Sequence, residues 1–298
     1  MKIVITGSLG NISKPLTQEL VRKGHLVTVI SSNTERQKDI EAIGAKPAIG
    51  SLENPEFLAA TFAGADAIYC MVPPNNYFDH NLNLLEYYRR LGKNYALTIK
   101  QAGVKHVVNL SSIGAHMEKG NGILLGAHDV ESILNELPLT ISITHIRPTS
   151  FYYNLYAYAN TIKELGYIAA NYGDEDIIPW VSPQDIANAV TEELLGVPSG
   201  RKARYVCSEE LTCNQTAQIL GEAVGKPKLK WLTITNEQME NGLVAAGMNP
   251  RIASGLVEMY AGLHSGLLLE DYFQNQPTFG NVKMTDFVKE FAAVYHQS

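Results

Sequence analysis

The chain has 298 residues but only three cysteines, Cys70, Cys207 and Cys213. An odd number at wide spacing excludes a disulfide framework and points to a reducing compartment, so a cytoplasmic location is expected. Neither Cys nor His recurs at zinc-ligand spacing, and no metal site is expected. No block of Lys and Arg stands out in a chain of formal net charge -6, which argues against nucleic acid as a partner. No apolar run is long enough for a membrane span, and no charged and apolar leader with a small-residue cleavage site is present. Instead Met1-Lys2 leads at once into Ile3-Val4-Ile5-Thr6-Gly7. Internal repeats, low-complexity tracts and long Pro/Gly/Ser linkers are also missing, so the parts of the chain should share interfaces.

What is present is an ordinary globular composition, 45% hydrophobic and 18% charged. The length suits one large α/β domain with a smaller appendage. Short apolar, β-branched runs at 2–6, 26–30, 46–49, 65–70, 106–110 and 140–146 are bounded by Gly, Pro or polar clusters, as buried parallel strands are. Helical patterns lie between them, with Leu16, Leu20 and Val21 on one face of the first and a long one over 79–102. This alternation predicts an α/β fold, a doubly wound parallel sheet over 1–153. Residues 154–298 are predicted to form a smaller, mainly helical cap that partly returns to that sheet. Its expected elements are a strand at 204–207 and helices at 184–195, 212–224, 236–246 and, as one long rod, 250–273.

The first strand runs into Gly7-Ser8-Leu9-Gly10-Asn11-Ile12-Ser13, at the point where a helix opens. In that context a glycine turn reads as the pyrophosphate cradle of a Rossmann domain. Gly7 allows the tight turn and Gly10 lets the backbone approach the ligand. The helix start at Asn11 and Ile12 offers free N–H groups and a positive dipole end. Ser13 stands where the last small residue of the fingerprint belongs. The second strand ends Ser31-Ser32-Asn33-Thr34-Glu35-Arg36, without an acid to hold a ribose 2′-hydroxyl. Ser32, Asn33 and Arg36 offer donors to a 2′-phosphate instead. NADP is therefore the expected cofactor and NAD the alternative.

With these motifs in order, the chain resembles the NmrA-like group of atypical short-chain dehydrogenases/reductases along nearly its whole length. The resemblance runs through Gly50-Ser51-Leu52, Asn109-Leu110-Ser111-Ser112-Ile113-Gly114, His128-Asp129-Val130-Glu131, Ile146-Arg147-Pro148 and Asp185-Ile186-Ala187 to Gly247-Met248-Asn249-Pro250. It implies quinone and azo reductases, epimerase-like proteins, or regulators that bind the dinucleotide without turning it over. It implies further that Ser51 and Leu52 border the adenine and that Met71, Val72 and Pro73 border the adenosine side. Ser111 and Ser112 then lie beside the nicotinamide ribose, and Pro148 near the carboxamide. The chain departs from the group's classical pattern after Ser111-Ser112, where no Tyr-x-x-x-Lys follows.

The candidates for chemistry are correspondingly few. His128, three residues before Glu131 on one helix face, is read either as a ribose ligand or proton relay, or as a surface histidine paired with Glu131. Phe151-Tyr152-Tyr153 is read as an aromatic floor for a planar acceptor or as core packing, with Tyr152 or Tyr153 a candidate proton donor. Tyr77, Tyr87, Tyr88, Tyr95, His80 and His116 are assigned to surface or packing. Cys70, at a strand end beside the cofactor loop, is read as a buried small hydrophobe rather than a redox sensor. The expected function is NADPH reduction of a small planar acceptor such as a quinone, which tolerates the missing Tyr–Lys pair. The alternatives are a non-catalytic NADP(H)-sensing protein with a protein partner and, third, a sugar-nucleotide epimerase or dehydratase. A small molecule is the expected partner, and an oligomer is left open.

Overall fold

The computed structural model describes residues 1–297. Its first half alternates strand and helix: β1 (Lys2–Ile5), α1 (Ser13–Arg22), β2 (Leu26–Ser31), α2 (Arg36–Ala42), β3 (Lys46–Ile49) and α3 (Pro55–Phe62). It continues with β4 (Ala67–Cys70), α4 (Leu84–Ala102), β5 (His106–Leu110), α5 (Leu125–Asn135) and β6 (Ser142–Pro148). The second half holds β7 (Ser150–Phe151), α6 (Ala159–Leu165), β8 (Ile168–Ala170), β9 (Ile177–Val181), α7 (Pro183–Leu195) and β10 (Arg201–Val206). It ends with β11 (Glu209–Thr212), α8 (Cys213–Ala223), β12 (Trp231–Thr233), α9 (Asn236–Ala245), α10 (Pro250–His264), α11 (Glu270–Gln274) and α12 (Met284–Gln297).

All six strands expected in the first half form, and they pair in parallel in one seven-stranded sheet ordered β10-β6-β5-β4-β1-β2-β3. The order reverses between β1 and β4, and ligands of open α/β sheets bind beyond the carboxyl ends at such a switch. β1 is buried because Ile3, Val4 and Ile5 are all apolar and both faces are covered. On one face α1 and α7 pack together, with Leu16 and Leu20 meeting Ile186 and Val190. On the other, Tyr87, Leu91, Tyr95 and Ile99 of α4 share a core with Leu58 and Phe62 of α3 and Val130 and Leu134 of α5.

The cap has its own core around Tyr152, Trp180, Trp231, Tyr272 and Phe291, and two small sheets, β11-β9-β7 and β12-β8. Two expected helices are shorter than their apolar patterns. The rod over 250–273 breaks at Gly266, whose φ of +78° is left-handed backbone that favours glycine, and α11 restarts after it. The helix over 79–102 begins only at Leu84, because Asp79 organises a turn by accepting from Asn81 N and Leu82 N, and Asn83 caps the start. Among the described residues no single helix is long and apolar enough to cross a membrane.

Candidate functional site

The turn after β1 is left-handed at two successive residues, Gly7 at φ +88° and Ser8 at +54°. A Cβ on Gly7 would stand 2.7 Å from Ser13 Oγ and 3.0 Å from Met71 Sδ, so the position excludes any larger residue. Ser13 Oγ donates to Thr6 O at 2.9 Å, which ties the start of α1 to the end of β1. Ser8 N donates to Ile30 O at 3.0 Å and Ser8 Oγ to Ser31 Oγ at 2.9 Å, fixing the turn against β2. No side chain caps the first turn of α1. Its leading N–H groups and dipole end thus remain available to an anion, and the glycine turn delivers the backbone to it.

A cleft of about 550 Å³ opens over this turn. Gly7, Ser8, Gly10, Asn11, Ile12 and Ser13 form its floor. Ile30, Ser31 and Ser32 with Gly50, Ser51, Leu52 and Glu53 wall one end. Met71, Pro73, Pro74 and Asn75 of the loop after β4, with Tyr87, Leu91 and Tyr153, wall the other. Tyr95, fully buried on α4, donates its hydroxyl to Met71 O at 2.7 Å and anchors that loop. The extent, floor and wall fit an elongated ligand with a central anion. The Gly7 cradle is the observation that fits a dinucleotide pyrophosphate.

Of the residues singled out from the sequence, Gly7, Ser8, Gly10, Asn11, Ile12, Ser32, Ser51, Leu52, Met71, Pro73 and Tyr153 line this cleft. Others do not. Leu9 and Val72 pack against the cores on the two sheet faces. Asn33 accepts from Glu35 N at 2.9 Å in a local turn. The Arg36 side chain, half exposed, pairs with Asp39 at 3.2 Å on its own helix. Ser112 and Pro148 accept backbone bonds from Ala115 and Ile113 and lie outside the lining. Tyr87 and Leu91 were assignable only to packing, because their i, i+4 spacing is also that of a core stripe; here that stripe reaches the cleft.

Three readings are corrected by geometry. Tyr152 is 1% exposed, stacks on Phe287 in the cap core, and donates its hydroxyl to Glu209 Oε1 at 2.6 Å. Burial and that carboxylate push its phenol far above the usual range, so it holds its proton. His128 does not pair with Glu131: its Nδ1 lies 2.9 Å from Ala115 O and its Nε2 3.5 Å from Ser132 Oγ. Ser111, which the resemblance sets beside the nicotinamide ribose, lies outside the cleft lining and donates to Glu131 Oε1 at 2.5 Å.

Glu131 belongs to a network that links four elements and the loop after β5. Arg147 of β6 donates to both its oxygens, at 3.0 and 2.7 Å, and reaches Asp271 of α11 at 3.2 Å. Tyr205 of β10 donates to Asp271 at 2.5 Å. Burial disfavours the Glu131 carboxylate, but the Arg147 guanidinium outweighs it and holds the carboxyl below its ordinary value. A second cleft, about 960 Å³, lies where Arg147 and Tyr205 meet α7 and the 275–281 segment, and the charges facing it already have partners: Arg147 with Asp271, Arg204 with Glu192, and Asp185 with Ser208 Oγ and the N–H groups of Asn281 and Val282.

Of the candidate proton donors, Tyr153 is the one that lines the cleft. It stacks on Phe151 with centroids 5.0 Å apart, and burial beside Tyr77 pushes its hydroxyl up to about 12. Cys70 is fully buried and burial pushes its thiol far up, which leaves no thiolate to sense oxidants. Among the described residues no cluster of His, Cys, Asp and Glu could hold a metal ion.

A model of the NmrA-like family matches residues 1–264. The NAD(P)H azoreductase of Xenophilus azovorans is 25% identical over 261 residues, covering 87% of this chain and 86% of that protein. Among solved structures, the NADPH-dependent quinone oxidoreductase of Escherichia coli complexed with NADPH superposes with a TM-score of 0.80 at 18% identity, covering 97% of this chain and 99% of that one. The triphenylmethane reductase of Citrobacter sp. superposes with a TM-score of 0.77 at 20% identity, covering 98% and 100%.

Proposed function

The chain belongs to the NmrA-like family, and from that premise we propose that it is an NAD(P)H-dependent reductase of a small planar acceptor, quinone-like in class, with NADPH as the preferred donor. The observation that carries this reading is the cleft at the β1/β4 switch, floored by the left-handed Gly7-Ser8 turn and the uncapped start of α1. The azoreductase likeness, over most of both chains, supports the reaction class.

In this reading the N–H groups of Asn11, Ile12 and Ser13 hold the pyrophosphate, the Gly10 N–H being bonded to Gly7 O within the turn. Ser31 and Ser32, with Arg36 recruited from its exposed pair, and the 50–53 loop border the adenosine end. Tyr153 borders the nicotinamide end, where its ring, backed by the stacked Phe151 ring, faces a flat acceptor. When bound, the reduced nicotinamide supplies a hydride that turns a quinone into a hydroquinone anion, which water then protonates. The chain's residues position the two rings and exclude water, and no side chain is asked to move a proton. That division of labour suits a site whose Ser111 is committed to Glu131 and whose Tyr153 keeps its proton.

The test mixes the purified protein with NADPH and 1,4-naphthoquinone and follows absorbance of the reduced nicotinamide. Saturable consumption is expected. Tight binding without consumption of any quinone in a panel would overturn the reductase reading and leave a dinucleotide-sensing role. Consumption only with a carbonyl substrate would overturn the acceptor class.

A further inference from the structure

Asn249 is a polar residue 1% exposed, at the junction of α9 and α10, and all of its donated bonds run to one distant segment. Its backbone N donates to Tyr77 O at 2.9 Å. Its Nδ2 donates to Asp79 O at 2.9 Å and to Leu82 O at 3.1 Å. Its Oδ1 caps α10 by accepting from Arg251 N at 3.0 Å. Both ends of its side-chain amide are thereby used: with the backbone N–H it makes three donations to the loop between β4 and α4, while its Oδ1 and backbone O accept from its own helix. The His80 ring adds a contact of 3.2 Å from Nε2 to Gly247 O.

The loop so held is the one that walls the cleft. Pro73, Pro74 and Asn75 line it, and two residues later Tyr77 turns inward. Tyr77 is half-buried against the same core as Leu243 and Met248, and its phenol lies close enough to Tyr153 to disfavour ionisation there. Asn249 thus holds the backbone of Tyr77, the residue two positions after Asn75 of the cleft wall and near Tyr153, which lines the cleft. α9, which has no fully buried residue, rides on the same junction. Tyr95 on Met71 O and Thr6 Oγ1 on Met71 N fix only the β4 end of the loop.

We propose that Asn249 is a positioning residue for acceptor binding: it staples the cap junction to the 71–83 loop and so sets the opening through which the acceptor reaches the nicotinamide end. This rests on the dinucleotide reading of the cleft. It assigns acceptor affinity to a residue that touches neither ligand.

Asn249→Asp separates the two roles of the side chain. It keeps the oxygen that caps α10, but sets a carboxylate against the carbonyls of Asp79 and Leu82. Asn249→Ala removes both roles and serves as the control for helix stability. Amide hydrogen exchange over 75–83 in the full-length protein without ligand should accelerate about tenfold or more in Asn249→Asp, as expected for the loss of two buried hydrogen bonds. In steady state, KM for 1,4-naphthoquinone should rise at least several-fold, with the dissociation constant for NADPH and kcat each within about twofold of the parent. Unchanged exchange over 75–83 would overturn the staple. Faster exchange with unchanged KM would overturn its role in acceptor binding. Loss of NADPH affinity in step with KM would place the residue in cofactor binding instead. If the parent consumes no quinone, the reductase reading fails by itself, and the exchange arm still decides whether the staple exists.

Discussion

Ser111 Oγ, just past β5, and Glu131 Oε1 of α5 lie 2.5 Å apart, serine donating, and the carboxylate that accepts this bond is the one Arg147 grips with two nitrogens. A hydroxyl at the carboxyl edge of the sheet, where a substrate could have been met, is therefore spent on holding the edge together.

Arg147→Met should cost about 3–5 kcal/mol of unfolding free energy, since it leaves Glu131 buried without its partner. Glu131→Gln should cost less, because no bare charge remains. The pH dependence follows from the lowered Glu131 carboxyl. A carboxyl held lower in the folded state adds stability that is fully present above its ordinary value of 4.5 and is lost as pH falls through the folded value. Urea unfolding at pH 7 and at pH 4 should show a smaller acid loss in Glu131→Gln than in the parent. Equal losses would remove Glu131 from the acid response.

Gly10→Val should abolish dinucleotide binding while the fold survives. Gly10 lines the floor of the cleft, and the nearest atom to an added Cβ is Gly7 O at 3.1 Å, so the rest of the side chain projects where the pyrophosphate belongs. Gly7→Ala should also damage the fold, because it adds a left-handed alanine, costing more than about 1 kcal/mol, to a collision with Ser13 Oγ. Calorimetric titration with NADPH, paired with thermal unfolding, separates the two variants. Unchanged affinity in folded Gly10→Val would sink the pyrophosphate assignment.

Arg36→Ala should weaken NADPH by roughly 1.5–3 kcal/mol, the range for hydrogen bonds to charged groups, and leave NADH nearly untouched. The present pair with Asp39 is exposed and exposed pairs contribute about 0–1 kcal/mol, so the guanidinium is released to a 2′-phosphate at little cost. Binding isotherms for both cofactors decide it. Equal losses would show that Arg36 does not read the phosphate.

Tyr153→Phe and His128→Ala should each keep quinone turnover within about tenfold of the parent, well short of the 10²–10⁴-fold that a positioned general acid contributes. With the Tyr153 hydroxyl pushed up to about 12, its ionisation should leave no step in kcat between pH 6 and 9. Tyr152→Phe should lower stability by about 1–3 kcal/mol, since Glu209 and the Val282 carbonyl lose a buried donor, and should leave kcat in place. A large fall in kcat for Tyr153→Phe with cofactor affinity intact would require a carbonyl acceptor in place of a quinone.

The parallel sheet was legible because each of its first six strands is a short apolar run closed by turn residues, a pattern that needs no partner to be recognised. The floor of the cleft was legible for the same reason, since Gly7 to Ser13 is one local turn. What escaped is non-local. Glu131, Arg147 and Asp271 meet across 140 positions of chain, and no spacing rule pairs them. His128 and Glu131 have helical spacing but separate partners, because Arg147 from another strand outcompetes an imidazole for the carboxylate. The break at Gly266 was masked by apolar residues on both sides, and Asn249 reads in the sequence only as a helix cap before Pro250.

The seventh strand of the sheet, β10, arrives only after the chain has left the sheet for β7, β8 and β9 and covered α1 with α7. A fragment ending at residue 153 would therefore expose β6 as a raw edge and leave Leu16 and Leu20 without Ile186 and Val190. Cofactor-binding and acceptor-binding halves cannot be exchanged between such proteins by joining one contiguous piece of chain to another. Recombination at a single crossover should yield insoluble chimeras, and shifts in acceptor preference should come from scattered substitutions on the loop after β4, the segment after β6 and the α9–α10 junction.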